Sequence, residues 1–127
     1  MKKALSIKRI IKSFGFAFRG FIKSFKEEPN MKIHTIMAFL VIICGFIFKV
    51  SSLEWIVLLF AIGLVIGAEL LNTAMENIVD LHSLEHSERA GLIKDVSASF
   101  VMILAFISAI VGLIIFIPKL LDMIGGI

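Results

Sequence analysis

At 127 residues the chain is long enough for one domain, and with 59% of its residues hydrophobic it carries more apolar surface than a soluble fold of that size can hide. The net charge is only +3, yet eight of the thirteen Lys and Arg residues precede residue 27 and no acid does. That asymmetry suits an anionic membrane surface or nucleotide phosphates, and the lipid-soluble remainder argues against nucleic acid as a partner. Cys44 is the single cysteine, which excludes a disulfide framework or a cysteine metal site within one chain.

The first element expected is an amphipathic helix over residues 5–26. Ile7, Ile10, Ile11, Phe14, Phe18, Phe21 and Phe25 recur at helical spacing, while Lys8, Lys12, Arg19, Lys23 and Lys26 supply cationic edges. Such a helix lies in the membrane interface rather than crossing it. Cations interrupt it throughout, so no signal peptide is expected here. Pro29 in "EEPN" should end it.

Three spans are expected to follow, over about residues 31–49, 53–80 and 92–117. His34, near the start of the first, reads as a hydrated interfacial residue. Lys49, Ser51 and Ser52 form a short turn, and Trp55 anchors the second span at an interface. The third has no charge from Val96 to Ile117, and Pro118 should terminate it. The basic N-terminal segment is expected to stay cytoplasmic, which puts residues 80–95 on the same side. The fold class is thus all-α integral membrane.

The second span carries an unusual burden. On a helix, Glu69, Asn72, Thr73, Glu76 and Asp80 share a sector of roughly 100°, while Gly63, Gly67 and Ala74 lie opposite. Counted from Trp55, Glu69 is about 21 Å along the axis, within a hydrocarbon layer of about 30 Å. Glu76 lies about 10 Å further on, near the cytoplasmic boundary, so the two cannot readily share one small ion. An ionisable group within the bilayer is costly, and points to function. Glu69 is deep enough to meet the hydroxyl of a lipid alcohol. Glu76 is shallow enough to meet a hydrated cation carrying ATP phosphates, and Mg²⁺ favours carboxylates with phosphate oxygens and water. Lys94 could pair with phosphate and Asp95 could orient it, although in isolation Lys94–Asp95 reads as an interfacial pair.

Other nucleotide signatures are absent: there is no Gly-x-x-x-x-Gly-Lys-Ser/Thr loop and no protein-kinase motif set. "HSLEH" at 82–86 has the spacing of a zinc motif, but no third ligand is evident. A solvated or nucleotide-touching loop accounts better for Glu85, His86 and Ser87.

The run "GAELLNTAMENIVD", followed by "KD" at Lys94–Asp95, resembles the prokaryotic diacylglycerol kinase family, which includes undecaprenol kinases. "RIIKSFGFAFRG" and Glu28 extend the likeness over nearly the whole chain. The resemblance implies a small membrane kinase that phosphorylates a lipid alcohol with MgATP, typically as a homotrimer in the bacterial inner membrane with a cytoplasmic active site. It implies Glu69 as general base and Asn72 as its support, with Glu28 and Glu76 as metal carboxylates. Its nucleotide contacts fall on Arg9, Phe16, Glu28, Glu76, Glu85, His86, Ser87, Lys94 and Asp95. Phe16 keeps a stacking face where a tyrosine is familiar.

"NTAMENIVDL" looks closer to undecaprenol kinases, which makes a polyprenol the expected substrate and diacylglycerol the alternative. A small ion-coupled transporter could also use Glu69, but has no need of the Glu76, Lys94 and Asp95 cluster. A noncatalytic scaffold would explain the glycines and the basic helix, but not the deep acid. Three spans per chain are too few to enclose a polar site from lipid, a difficulty that a trimer would remove.

Overall fold

A computed structural model describes residues 6–82 and 87–126. Their secondary structure consists of α1 (Ile7–Glu27), α2 (Pro29–Ile47), α3 (Ser52–His82) and α4 (Glu88–Gly125). The last three are long and apolar enough to cross a membrane. Helices are the form such segments must take, because lipid offers no partner to a backbone N–H or C=O.

One residue separates α1 from α2. A residue before proline is pushed out of the helical region, and Glu28 has φ −104° and ψ 115°. Pro29 then occupies the first turn of α2, where its missing N–H costs nothing. Glu28 closes α1 by donating its N–H to the Ser24 carbonyl, and its own carbonyl accepts from Lys32. The Glu-Pro step thus changes the chain's direction without a loop. Ile7, Ile11, Phe14 and Phe18 of α1 stay exposed, an uncovered apolar face of the kind that rests in a lipid interface.

The α2–α3 connection is equally short. Val50 N–H donates to the Gly45 carbonyl and Lys49 N–H to the Phe46 carbonyl, the paired bonds of a Schellman turn. Lys49 adopts φ 49°, the left-handed position usually given to glycine. Ser51 and Glu54 then form a capping box for α3: Ser51 N–H donates to Glu54 Oε2, and Glu54 N–H donates to Ser51 Oγ.

The tightly packed antiparallel pair is α3 and α4. Glu54 at the start of α3 pairs with Lys119 near the end of α4 at 3.0 Å, and Asp80 near the end of α3 pairs with Lys94 near the start of α4. Ion pairs at both ends fix the register of the two helices. Between them and α2, Val50, Leu58 and Ile115 form a small apolar core, flanked by Val41, Trp55, Val111 and Phe116.

The third membrane helix runs through Pro118 to Gly125 rather than ending there. Proline removes one N–H from the ladder, but unwinding the helix would strand several backbone groups. The residues beyond it, Leu120, Leu121, Met123 and Ile124, are apolar and exposed. With 38 residues, α4 is about 57 Å long, well beyond the hydrocarbon thickness.

Trp55 packs its ring on the backbone of Gly45, where an added Cβ would stand 2.5 Å from a ring carbon. Gly45→Ala should therefore strain this corner and lower stability by about 1–3 kcal/mol. Unfolding in mixed micelles checks this, with Gly15→Ala as control, since nothing lies within 4 Å of a Cβ there.

Candidate active site

The polar face of α3 is its buried face. Leu58, Val65, Ala68, Glu69, Asn72 and Val79 are the buried residues of that helix, while Gly63, Gly67 and Ala74 are exposed. Glu69 is 1% exposed and Asn72 is 6% exposed. A single chain therefore buries both groups, while Glu76 is only half-buried and Asp80 stays exposed. The shelter comes from α2 and α4, which close on the stripe from either side.

Glu69 and Asn72 line a cleft of about 190 Å³. Asn30 and His34 of α2 complete its polar wall, and Ala98, Val101, Met102 and Ala105 of α4 form an apolar wall. Ala98, Met102 and Ala105 are the small or flexible residues that leave room between packed helices. His34 is half-buried rather than hydrated, and its Nε2 lies 3.9 Å from Glu69 Oε2.

Asn72 bonds to the shallower acid and not to Glu69: its Nδ2 donates to Glu76 Oε1 at 3.1 Å. Its Oδ1 is buried without a hydrogen-bond partner. Leaving such an oxygen unsatisfied costs about 1–3 kcal/mol, so the cleft wall holds one acceptor suited to a donor or a cation. Thr73 donates to the Glu69 carbonyl at 3.0 Å and meets Ser24 of α1 at 3.5 Å, which ties the amphipathic helix to the side of the stripe.

Glu28, at the α1–α2 break, and Glu76 are the charged neighbours of Glu69. Among the described residues, no three His, Cys, Asp or Glu side chains converge closely enough to hold a metal by themselves. What Glu28, Glu76 and Asn72 do offer is a set of hard oxygen donors, which suits Mg²⁺ completed by phosphate oxygens and water rather than a thiophilic metal.

The remaining sequence candidates divide. Lys94 pairs with Asp80 across the α3–α4 gap, not with Asp95, because adjacent residues on a helix do not face each other. Asp95 is exposed. Ser87 caps α4 by accepting from Ala90 N–H at 3.1 Å. Glu85 and His86 lie outside the described residues, as does most of "HSLEH"; His82 contacts the Ile78 carbonyl of its own helix. Arg9 and Phe16 are exposed on α1, where Lys12 and Arg19 stand 5.8 and 5.2 Å from the Phe16 ring centroid. This makes a cationic aromatic stripe with no ion pair to the acids among the described residues.

Sequence reasoning missed two partners, His34 and the Asp80–Lys94 pair. Asn30 and His34 stand four apart near the start of α2, and that spacing was the available signal.

The profile of the prokaryotic diacylglycerol kinase family matches residues 15–116. The chain belongs to the prokaryotic diacylglycerol kinase family. It is 42% identical to the undecaprenol kinase of Bacillus subtilis over 114 residues, covering 90% of this chain and 93% of that protein. It is 30% identical to the diacylglycerol kinase of Haemophilus influenzae over 117 residues, covering 91% of this chain and 99% of the relative. Identity to the Escherichia coli diacylglycerol kinase is 26% over 102 residues, 80% of this chain and 84% of that one. The enzyme is thus an ATP-using lipid kinase of the membrane, and the cleft around Glu69 lies within the matched segment.

Proposed function

We propose that the enzyme transfers the γ-phosphate of ATP to the hydroxyl of a membrane polyprenol, with undecaprenol as the favoured substrate. The observation that carries the site assignment is the buried Glu69 carboxylate, set in a cleft with one polar and one apolar wall. The preference for a polyprenol is supported by the greater identity to an undecaprenol kinase than to the diacylglycerol kinases. Diacylglycerol remains the second reading, supported by those other relatives.

In this reading the lipid hydroxyl enters the cleft beside Glu69, and its alkyl end lies along Ala98, Val101, Met102 and Ala105. Glu69 accepts the hydroxyl proton as the oxygen attacks the γ-phosphate, and ADP departs with the electron pair of the broken bond. Buried, preformed surroundings favour such a base, because little solvent has to reorganise when the reaction occurs. Asn72 holds Glu76 in place. Glu28 and Glu76 would hold Mg²⁺, which neutralises charge on the phosphates when bound. Lys94 exchanges Asp80 for a phosphate oxygen, with Asp95 beside it. Arg9, Phe16 and the loop of Glu85, His86 and Ser87 complete the nucleotide contacts.

We further read the working form as a homotrimer in the inner membrane with α1 at the cytoplasmic surface. Support comes from the exposed Gly63, Gly67 and Ala74 face of α3, which lets another helix approach closely. The basic stripe of α1 supports the orientation.

Purified protein incubated with MgATP and an equal mixture of undecaprenol and diacylglycerol tests the substrate. Preferential formation of undecaprenyl phosphate is expected, and phosphorylation of neither lipid would overturn the reading. Glu69→Gln should lower turnover by about 10²–10⁴-fold and spare MgATP binding. Asn72→Ala frees Glu76 and should raise the Mg²⁺ concentration for half-maximal activity about 10-fold or more, read from a metal titration at saturating lipid.

A further inference from the structure

A buried base has a second task that the transfer step does not address. Once Glu69 has taken the hydroxyl proton it must lose it again before the next turnover, and its side chain is only 2% exposed. Bulk water scarcely touches it. The other titratable side chain lining the same cleft is His34. Its Nε2 is 3.9 Å from Glu69 Oε2, and its side chain is 21% exposed. The cleft's remaining lining residues are Asn30, Asn72 and four apolar residues of α4, so none of them can carry a proton as an ionisable group. Glu28 and Glu76, the other charged neighbours of Glu69, do not line it.

We propose that His34 is the proton acceptor for Glu69, the step that resets the base after each transfer. The proposal rests on the lipid-kinase reading with Glu69 as base. The sequence of events balances as follows. The lipid O–H bond breaks and its proton goes to Glu69, while the lipid oxygen bonds phosphorus and the bridging oxygen leaves with ADP. Glu69 then passes that proton to Nε2 of neutral His34, whose hydrogen is on Nδ1. The resulting imidazolium stands beside the restored carboxylate, and releases its proton to water at its exposed edge. A gap of 3.9 Å exceeds a hydrogen bond, but one water or a small rotation closes it. Imidazole suits the task because it gains and loses a proton near neutral pH. The placement also has a structural cause. His34 follows Pro29 by little more than one turn, so the pre-proline break that ends α1 fixes where the ring lies relative to α3.

The experiment compares His34→Ala, His34→Gln and wild type in steady-state assays with MgATP and undecaprenol. Both variants should lose about 10-fold or more in kcat, with KM for either substrate nearly unchanged. Added imidazole should restore activity to His34→Ala and do nothing for Glu69→Gln. Glutamine fills the site and hydrogen-bonds but takes no proton, so full turnover by His34→Gln would overturn the proposal. Wild-type kcat in His34→Ala, or a failure of imidazole to help a variant that still binds MgATP, would overturn it too. If His34→Ala does not fold, the kcat of His34→Gln decides. A wild-type enzyme that phosphorylates no lipid would instead overturn the kinase reading itself, which keeps the two failures distinct.

Discussion

A carboxylate placed midway along an apolar helix has to be covered by protein, and the rest of this fold follows from that requirement. Hydrocarbon gives Glu69 no hydrogen-bond partner and no screening. The chain answers by turning the polar stripe of α3 inward and its glycines outward. That choice decides which helix faces can be small and which must be polar. It also explains the mixed lining of the cleft. Residues opposite Glu69 on α2 are Asn30 and His34, whereas α4 contributes only alanines, Val101 and Met102.

Holding this arrangement requires little connecting chain. One pre-proline residue joins α1 to α2, and a Schellman turn with a capping box joins α2 to α3. Both devices satisfy helix-end groups locally, so no long loop enters the lipid. Ion pairs at either end of the α3–α4 pair then set its register. The pair nearest the acids is also the more solvent-accessible one, since Asp80 and Lys94 are more exposed than Glu54 and Lys119. A contact that sits in water is exchanged at small cost. In the proposed reading Lys94 leaves Asp80 for a phosphate without disturbing the core of Val50, Leu58 and Ile115, which lies at the opposite end of the helices.

Much of this was legible in the sequence because periodicity survives folding. Helical spacing alone placed Glu69, Asn72, Glu76 and Asp80 on one face and separated the basic and apolar sides of α1, while proline chemistry located the break at Pro29. Other features depend on what another helix presents, and spacing within one segment is blind to that. His34 reads as a hydrated residue until α3 is laid beside it. Lys94 reads as the partner of its neighbour Asp95 until the antiparallel packing brings Asp80 across. Asn72 invites a bond to Glu69, three residues away, yet Glu76 one turn further takes its amide. Pro118 misleads for a different reason: the rule that proline ends a helix comes from water, where freed carbonyls are solvated.

The size of the cleft bears on how a long lipid alcohol can be used. Sites that enclose a drug-sized ligand commonly measure about 300–1,000 Å³. In the proposed reading a cleft of about 190 Å³ takes only the hydroxyl end of a polyprenol or glyceride. The remaining chain must stay in the bilayer, along the apolar surface that α2 and α4 leave exposed. Discrimination between lipids therefore concerns the few atoms next to the hydroxyl. A prenyl end is apolar beyond its single oxygen and matches the α4 wall of Ala98, Val101, Met102 and Ala105. A diglyceride brings ester oxygens to the same place, and these need donors that α4 does not supply. His34 and Asn72 lie on the opposite wall. In that reading the apolar α4 wall favours an alcohol whose only polar atom is the one that reacts.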